Sequence, residues 1–240
     1  QYLSSAPTSK AYNQSAIIAN IETQYPHHGE AFERFTESGP LAVLPLTDKH
    51  DSNSFTASLS KKCSLVWTVK ESDLENILSL SDKDFIVQLQ HKFGYRLGAI
   101  QRTGKRFSYP LILKTLDSTA VTRLKRLVFV GNAAHAIHPV TGQGFNLGLR
   151  DISALSQLIE KNMYQNKGQF IYQSHLISDY WQQREKDIKQ VSLFTDTLIR
   201  LFSNKLFPLT PARNIGLILF ELCSPLKSIL ARFAMGRQSL

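Results

Sequence analysis

The chain has 240 residues, of which 42% are apolar and 20% charged, a composition typical of a globular protein with a full hydrophobic core. No apolar run reaches the roughly eighteen residues that a membrane-spanning helix needs, and no basic and apolar regions of a signal peptide open the chain. The net charge of +9 suits a polyanion, but the basic residues are scattered and form no stripe interleaved with aromatic residues, so we expect no nucleic-acid binding.

The two cysteines point to a reducing compartment. Cys63 and Cys223 lie far apart in the chain and form no C-x-x-C pair. Such isolated cysteines are typical of free thiols, so we expect a cytoplasmic protein. The chain begins at Gln1 without a methionine, as a piece of a longer protein does.

The first half of the chain predicts a β-sheet. Short runs rich in β-branched and aromatic residues, bounded by turn residues, indicate strands. These runs are residues 16–21, two strands within 31–46 that turn at Ser38-Gly39-Pro40, residues 63–70 and residues 99–113.

Two helices are predicted within this sheet region. Ser72 and Asp73 are residues that cap helices, and they indicate the start of a short helix. Phe85, Leu89 and Phe93 follow one another at helical spacing and predict a second helix from residue 82 to residue 93.

The last hundred or so residues predict helices. One apolar stripe at helical spacing consists of Phe145, Leu149, Ile152, Leu155, Leu158 and Ile159. A longer stripe consists of Ile177, Tyr180, Trp181, Arg184, Ile188, Val191, Phe194, Leu198 and Leu201. Thr210-Pro211 and Ser224-Pro225 each place a capping residue before a proline, which favours two further helix starts. The predicted fold class is therefore α+β, a sheet with inserted helices followed by a helical region.

The stretch richest in glycine, LVFVGNAAHAIHPVTGQGFNLGLRD, covers residues 127–151 and has the order strand, glycine loop, helix. In a dinucleotide-binding G-x-G-x-x-G motif the first glycine follows the strand directly, because the tight turn places the pyrophosphate at the helix N-terminus. Here eleven residues separate Val130 from Gly142, and the glycines form G-x-G-x-x-x-G. This spacing excludes the dinucleotide motif.

The same loop has properties that suit a flavin. Gly142 and Gly144 lack a Cβ, so the backbone can approach a flat ligand closely. The helix that starts near Gly144 directs free N–H groups and its positive dipole end toward that ligand. The flavin edge around N1 and the C2 carbonyl gains negative charge on reduction and suits this position. Asn132 offers an amide to a ribityl or phosphate oxygen. The simpler alternative is an ordinary glycine turn before a helix.

Residues 131–146, GNAAHAIHPVTGQGFN, resemble the second flavin motif of the flavin-dependent aromatic hydroxylases, G-D-A-A-H-x-x-x-P-x-x-G-Q-G-x-N. Every defined position matches except the aspartate, which is Asn132 here. The segments AFERFTESGPLAVLPL, SLVWTV, TDTLIRLF and ARNIGLILFEL are similar to the ubiquinone-biosynthesis branch, in particular to the 2-octaprenyl-6-methoxyphenol hydroxylases. The resemblance covers nearly the whole chain.

This resemblance implies an FAD-dependent monooxygenase that hydroxylates a polyprenylated phenol with O2 and with NAD(P)H as co-substrate. The residues that it assigns to cofactor binding are Gly131, Asn132, Pro139, Gly142, Gln143, Gly144 and Asn146. In the family an N-terminal segment carries G-x-G-x-x-G and D-G motifs, and neither occurs in this chain.

The missing motifs imply that the chain corresponds to the C-terminal portion of such an enzyme. Residues 1–126 are then the substrate-binding sheet domain, 127–165 the second flavin motif and 166–240 the C-terminal helices. Without the N-terminal FAD-binding segment, we expect the chain by itself to be inactive and colourless.

No catalytic side chain is assigned, because in this family the flavin performs the oxygen chemistry and a phenol activates its own ring. We expect the substrate pocket between the sheet and the flavin, with Leu44, Pro45, His138 and Pro139 as candidate residues; core packing explains Leu44 equally well. His135 and His138 form H-x-x-H, but no third ligand lies nearby in the sequence. The pattern therefore predicts packing around the flavin and no metal site.

The main alternative is a non-catalytic module that docks the lipid substrate or other ubiquinone-biosynthesis proteins. Residues 214–224 are apolar nearly all round, and three basic residues accompany the apolar face that follows. Such a segment suits the headgroup region of an anionic membrane, or burial against the missing domain. Because a polyprenyl tail is insoluble, we expect peripheral attachment to the cytoplasmic face of the inner membrane.

Overall fold

The structure of the chain is a computed structural model that describes residues 8–47, 59–116, 127–139, 142–169, 175–203, 223–225, 227–228 and 232. The described strands are β1 (Thr8–Thr23), β2 (Phe32–Thr36), β3 (Gly39–Pro45), β4 (Lys62–Lys70), β5 (Ile100–Thr103), β6 (Phe107–Thr115) and β7 (His135–Ala136). The long helices are α1 (Glu71–Leu78), α2 (Asp82–Phe93), α3 (Gln143–Gln165) and α4 (Leu176–Ser203). The chain forms two compact units, one mainly of residues 12–111 and the other mainly of residues 112–198.

The strands form one sheet in the order β2-β3-β4-β1-β6-β7, with β5 paired to β1. Antiparallel pairing joins β2 to β3, β3 to β4, β1 to β4, β1 to β5 and β6 to β7. In the central pair, Ile17 of β1 lies opposite Trp67 of β4, and Ile21 lies opposite Cys63. The α+β class predicted from the sequence is confirmed.

The core of the unit formed by residues 12–111 lies between the sheet and α2. Alternate residues of β1, Ile17 and Ile21 among them, are buried, as expected for a strand with one covered face. From α2, Phe85 contributes a ring that lies 5.7 Å from the ring of Trp67, centroid to centroid. Ser81 caps α2, since its hydroxyl accepts a hydrogen bond from the Asp84 backbone N–H at 3.2 Å. The helix predicted for residues 82–93 is confirmed.

The core of the unit formed by residues 112–198 lies between α3 and α4. Its buried residues are Ala134, Leu147, Ala154, Ile177, Tyr180, Trp181, Ile188 and Val191. The stripe predicted for α4 supplies most of them, so this prediction is confirmed. Of the stripe predicted for α3, Leu155 and Leu158 pack against this core, whereas Phe145, Leu149 and Ile152 are exposed by 76%, 49% and 54%. The buried core residues of α3 are Leu147 and Ala154, which the stripe did not include.

Several predicted element boundaries are wrong. α1 begins after Lys70, so Ser72 lies within its first turn, where its hydroxyl hydrogen-bonds Asp73 and caps nothing. The strand predicted for residues 99–113 is two strands, interrupted where the Gly104 backbone N–H donates to Asn20 of β1. The turn between β2 and β3 comes before Gly39, which already belongs to β3.

The strand predicted at residues 127–130 is not present as a strand, although Val130 at its end has the extended dihedral angles φ −134° and ψ 153°. A run of apolar residues predicts strand propensity only, whereas a strand also requires a hydrogen-bonded neighbour. Of the two helix starts predicted near the C-terminus, Ser224-Pro225 is helical, and Thr210-Pro211 lies outside the described residues.

Candidate functional site

The glycine loop begins and ends with a residue in the left-handed region. After Val130 the chain makes a 3-10 turn at Gly131–Ala133, and Gly131 has a φ of +57°. At the other end Gly142, with a φ of +61°, is the N-cap of α3. L-residues with a Cβ rarely adopt these angles, so both glycines are required by the backbone.

The N-terminus of α3 is open. Gly142 has no side chain that could cap the helix, and a Cβ placed there would meet no atom within 4 Å. A Cβ on Gly144 would come no closer than 4.0 Å to its nearest neighbour, Ile137. Among the described residues, therefore, nothing crowds the Cα atoms of Gly142 and Gly144, and the backbone there can approach a flat ligand closely.

Gly131 in the 3-10 turn also lies close to Gly148 of α3. A Cβ on Gly148, in the second turn of α3, would lie 3.5 Å from the Cα of Gly131. The 3-10 turn therefore lies close to the backbone of α3, at a distance where a Cβ would make an ordinary contact. The sequence predicted ligand contact for Gly131; in the structure, its left-handed φ of +57° is the feature that favours glycine there.

A buried carboxylate holds this packing together. Asp151 of α3, fully buried, accepts hydrogen bonds from the Gly131 backbone N–H at 2.8 Å and from His135 Nε2 at 2.7 Å. Its other oxygen accepts from Arg184 Nε at 2.7 Å. Because a carboxylate only accepts, His135 carries its proton on Nε2. Burial raises the pKa of Asp151, but the hydrogen bonds from His135, Arg184 and Gly131 outweigh it and hold the pKa below its usual range.

Arg184 continues the ion-pair network along α4. Its Nη1 atom donates to Asp187 at 2.6 Å, and Asp187 also accepts from Arg150 Nη1 at 2.7 Å. Arg150 Nη2 donates to the side-chain oxygen of Gln143 at 3.1 Å. Burial lowers the pKa of Arg184, but Asp151 and Asp187 outweigh it, and the pKa is raised above its ordinary value. We call Gln143, Arg150, Asp151, Arg184, Asp187 and His135 the loop network.

The sequence did not assign a role to Asp151, Arg150, Arg184 or Asp187. One signal was present, since Arg184 occupies a position in the apolar stripe of α4. A charged residue at a buried helix position needs a buried partner of opposite charge, and Asp151 ends the glycine-rich stretch. The spacing of the two residues in the chain does not show that they meet.

The other predicted cofactor-binding residues differ in their exposure. Asn132 and Pro139 are exposed, Asn146 is half-buried, and the side chain of Gln143 is buried. The buried position of Gln143 follows from its hydrogen bond to Arg150.

The candidate pocket residues fall in different units. Leu44 and Pro45 end β3 in the unit of residues 12–111, where Leu44 is exposed and Pro45 half-buried. His138 belongs to the other unit and is almost fully buried, and burial lowers its pKa to about 4. His135 hydrogen-bonds Asp151, and no group of three potential metal ligands occurs among the residues with described positions.

Residues 117–192, which contain the loop, α3 and the loop network, match the family described as FAD binding domain. A ubiquinone hydroxylase, UbiL of Rhodospirillum rubrum, is 35% identical over 229 residues, which cover 95% of this chain and 49% of UbiL. The chain is therefore similar over nearly its whole length to a ubiquinone hydroxylase, and it contains a segment that matches the FAD binding domain. The family resemblance stated from the sequence is confirmed.

One further relative and one solved structure are similar to the chain, the first in sequence and the second in fold. The mitochondrial ubiquinone biosynthesis monooxygenase COQ6 of Dictyostelium discoideum is 25% identical over 274 residues, which cover 96% of this chain and 52% of COQ6. The fold matches PqsL of Pseudomonas aeruginosa, a probable FAD-dependent monooxygenase, with a TM-score of 0.63 at 14% identity, over 84% of this chain and 52% of PqsL. The chain spans about half the length of the curated relatives it matches.

The residues present fit the FAD that the flavin-dependent hydroxylases imply. The open N-terminus of α3 provides N–H donors and room at Gly142, and the exposed Asn132 lies next to Gly131 in the adjacent 3-10 turn. In the described part of the chain, no helix combines the length and the apolar character that crossing a bilayer demands.

Proposed function

We propose that this chain is the C-terminal portion of an FAD-dependent monooxygenase that hydroxylates a polyprenylated phenol in ubiquinone biosynthesis. The observation that carries the proposal is the open N-terminus of α3 at the left-handed Gly142, within the segment that matches the FAD binding domain. The names of UbiL and COQ6 support ubiquinone biosynthesis as the pathway.

In this proposal, the residues of the chain bind and orient the flavin and the phenol. The first turn of α3 would hold the pyrimidine edge of the flavin, where the positive end of the helix dipole would stabilise developing negative charge. The Asn132 amide donates to a ribityl or phosphate oxygen. His138, neutral near pH 7 because burial lowers its pKa, adds no charge beside the phenol. Bound FAD would supply the redox chemistry, by which the phenol, O2, NAD(P)H and a proton give the hydroxylated phenol, NAD(P)+ and water.

The FAD-binding segment that this chain lacks is the partner that we propose for α3. Phe145, Leu149 and Ile152 form an exposed apolar row on α3 at helical spacing. The row continues into an open pocket of about 730 Å³ at the other end of the helix, lined by Ser156, Ile159, Glu160, Met163, Tyr164, Lys167 and Gly168. An apolar surface of this length is typical of an interface, and about half the length of the relatives is available to cover it.

The activity is tested with the full-length gene. Cells that lack it should accumulate a prenylated phenol and lose ubiquinone, as measured by mass spectrometry of extracted lipids, and purified full-length protein should consume NAD(P)H in the presence of that phenol. Normal ubiquinone without an accumulated phenol would contradict the proposal and favour a non-catalytic docking module.

Attachment to the membrane surface is proposed from the sequence of the C-terminus. Residues 214–222 lie outside the described residues, and the apolar run that they belong to is followed by Lys227, Arg232 and Arg237. An apolar segment with basic flanks can insert into the headgroup region of anionic lipids. Full-length protein should pellet with anionic liposomes, less so in high salt, and deletion from Thr210 onward should abolish pelleting. Equal pelleting of both proteins would rule out this segment as the anchor.

A further inference from the structure

Both ends of the glycine loop are tied to one stretch of α4. At the first end, the Gly131 N–H donates to Asp151, which accepts from Arg184. At the second end, the Gln143 side chain accepts from Arg150, which donates to Asp187. Arg184 and Asp187 lie one turn apart on α4 and pair with each other at 2.6 Å. The loop network is therefore continuous from Gly131 to Gln143.

The geometry of the two arginines explains why they, and not lysines, occupy these positions. Arg184 uses Nε for Asp151 and Nη1 for Asp187, so one planar group fixes the separation of two carboxylates. Arg150 likewise donates from one nitrogen to Asp187 and from the other to Gln143. An ammonium is a point charge and cannot hold two acceptors at fixed angles in this way.

A purely stabilising role explains the buried part of the network poorly. Asp151 and Arg184 are almost completely buried, and removing two charges from water costs about as much as their attraction returns, so apolar side chains could fill the same place. What a satisfied polar network provides beyond stability is one defined arrangement of the groups attached to it. Here the attached groups are Gly131 and Gln143, at the two ends of the loop.

We propose that Arg184 and Asp187 of α4, acting through Asp151 and Arg150, are positioning residues that set the distance between the Gly131 turn and the N-terminus of α3. This inference rests on the proposed function, in which both of these groups contact FAD. The network touches the loop and not the cofactor, so it determines where the flavin lies and performs no chemical step.

Arg150 provides the sharpest test, because Arg150 and Asp187 are only partly buried and their replacement leaves the buried pair of Asp151 and Arg184 intact. The variants Arg150→Met and Arg150→Lys are made in full-length protein. The matched control is Lys189→Met. It removes an exposed ion pair between Lys189 and Glu185, both on α4, without touching the loop network. Three quantities are measured: the Kd for FAD, the visible circular dichroism of the flavin at saturating FAD, and the Tm of the FAD-free protein.

We expect Arg150→Met to weaken FAD binding about tenfold, which corresponds to about 1.4 kcal/mol, and to change the flavin circular dichroism even at saturation. Arg150→Lys should recover only part of the FAD affinity and of the flavin spectrum, because lysine keeps the positive charge but lacks the two-donor geometry of the guanidinium. Lys189→Met should leave the Kd within about twofold and the spectrum unchanged, and all variants should show a similar FAD-free Tm.

Two results would overturn the inference while leaving the proposed function intact. One is an unchanged Kd in Arg150→Met. The other is a weakened Kd with a wild-type spectrum at saturating FAD and a lowered Tm, since the network would then only stabilise the fold. Wild-type full-length protein that binds no FAD would instead contradict the proposed function, and this inference with it.

Discussion

Buried charged and polar side chains hold the backbone of the glycine loop, in addition to the conformational freedom of its glycines. Asp151 is the centre, because it accepts from a backbone N–H, an imidazole and a guanidinium at once. Its carboxylate form is stabilised by these donors, so its contribution to stability is present above the unfolded pKa and is lost as the pH falls through the lower folded pKa. His138 differs from Asp151, since it is buried in its uncharged form.

The pH dependence of folding stability should show that His138 is buried as a neutral base. Its pKa is lowered from 6.5 to about 4 by burial, so the unfolded chain binds the proton more readily between these values. The contribution of His138 to the free energy of unfolding is therefore fully present above pH 6.5. It is lost as the pH decreases toward 4, by up to about 3 kcal/mol. Urea unfolding of wild type and of His138→Leu from pH 7.5 to 4.5 measures this.

The variant His138→Leu should show a flatter decline over the same interval, because leucine takes up no proton. Parallel pH profiles for wild type and His138→Leu would show that His138 is not buried as a neutral base.

At the scale of elements, the strand–loop–helix unit depends on backbone conformations that only some residues accept. Gly142 starts α3 in the left-handed region, whereas Gly148 lies in the interior of the helix with ordinary angles. The same substitution should therefore have opposite effects at the two positions.

Gly142→Ala should destabilise the protein by about 1 kcal/mol, because alanine is strained at a φ of +61° although no atom obstructs its Cβ. Gly148→Ala should be neutral or stabilising by up to about 1 kcal/mol, since alanine favours helix and its Cβ would make an ordinary contact with Gly131 at 3.5 Å. Thermal unfolding of both variants and of Gly142→Asn, which tolerates the left-handed region, measures these effects. A stabilised Gly142→Ala would show that the backbone there is not left-handed.

At the scale of the whole molecule, the exposed row of Phe145, Leu149 and Ile152 and the missing G-x-G-x-x-G motif lead to the same expectation. In the proposed function, the N-terminus of α3 would contact one edge of the flavin only. Most of the binding energy for FAD, and the cover for the apolar row, would then come from the FAD-binding segment proposed as the partner of α3.

We expect the 240-residue chain to purify colourless and to oxidise no NAD(P)H. Absorbance near the flavin band, together with the FAD released on denaturation, measures this. Full-length protein prepared in the same way should be yellow, and it serves as the control. Stoichiometric flavin in the 240-residue chain would show that the second flavin motif is sufficient for binding.

The sequence by itself determined the features that depend on local pattern. Helical spacing of Phe85, Leu89 and Phe93 located α2, and the residues of the glycine loop identified the family, because backbone requirements at turns and helix ends restrict residue type directly. The apolar run at residues 127–130 was predicted as a strand for the same local reason, but it pairs with no strand in the part of the chain that the structure describes.

Only the tertiary structure decided which side of each helix is buried and which charges meet. An amphipathic pattern shows that a helix has an apolar side, but on α3 two apolar sides exist, and the packing of α4 against Leu147 and Ala154 left the row at Phe145 exposed. The loop network joins residues 131–151 to residues 184–187 across a long separation in the chain. Such contacts depend on how two helices pack, which no local pattern encodes.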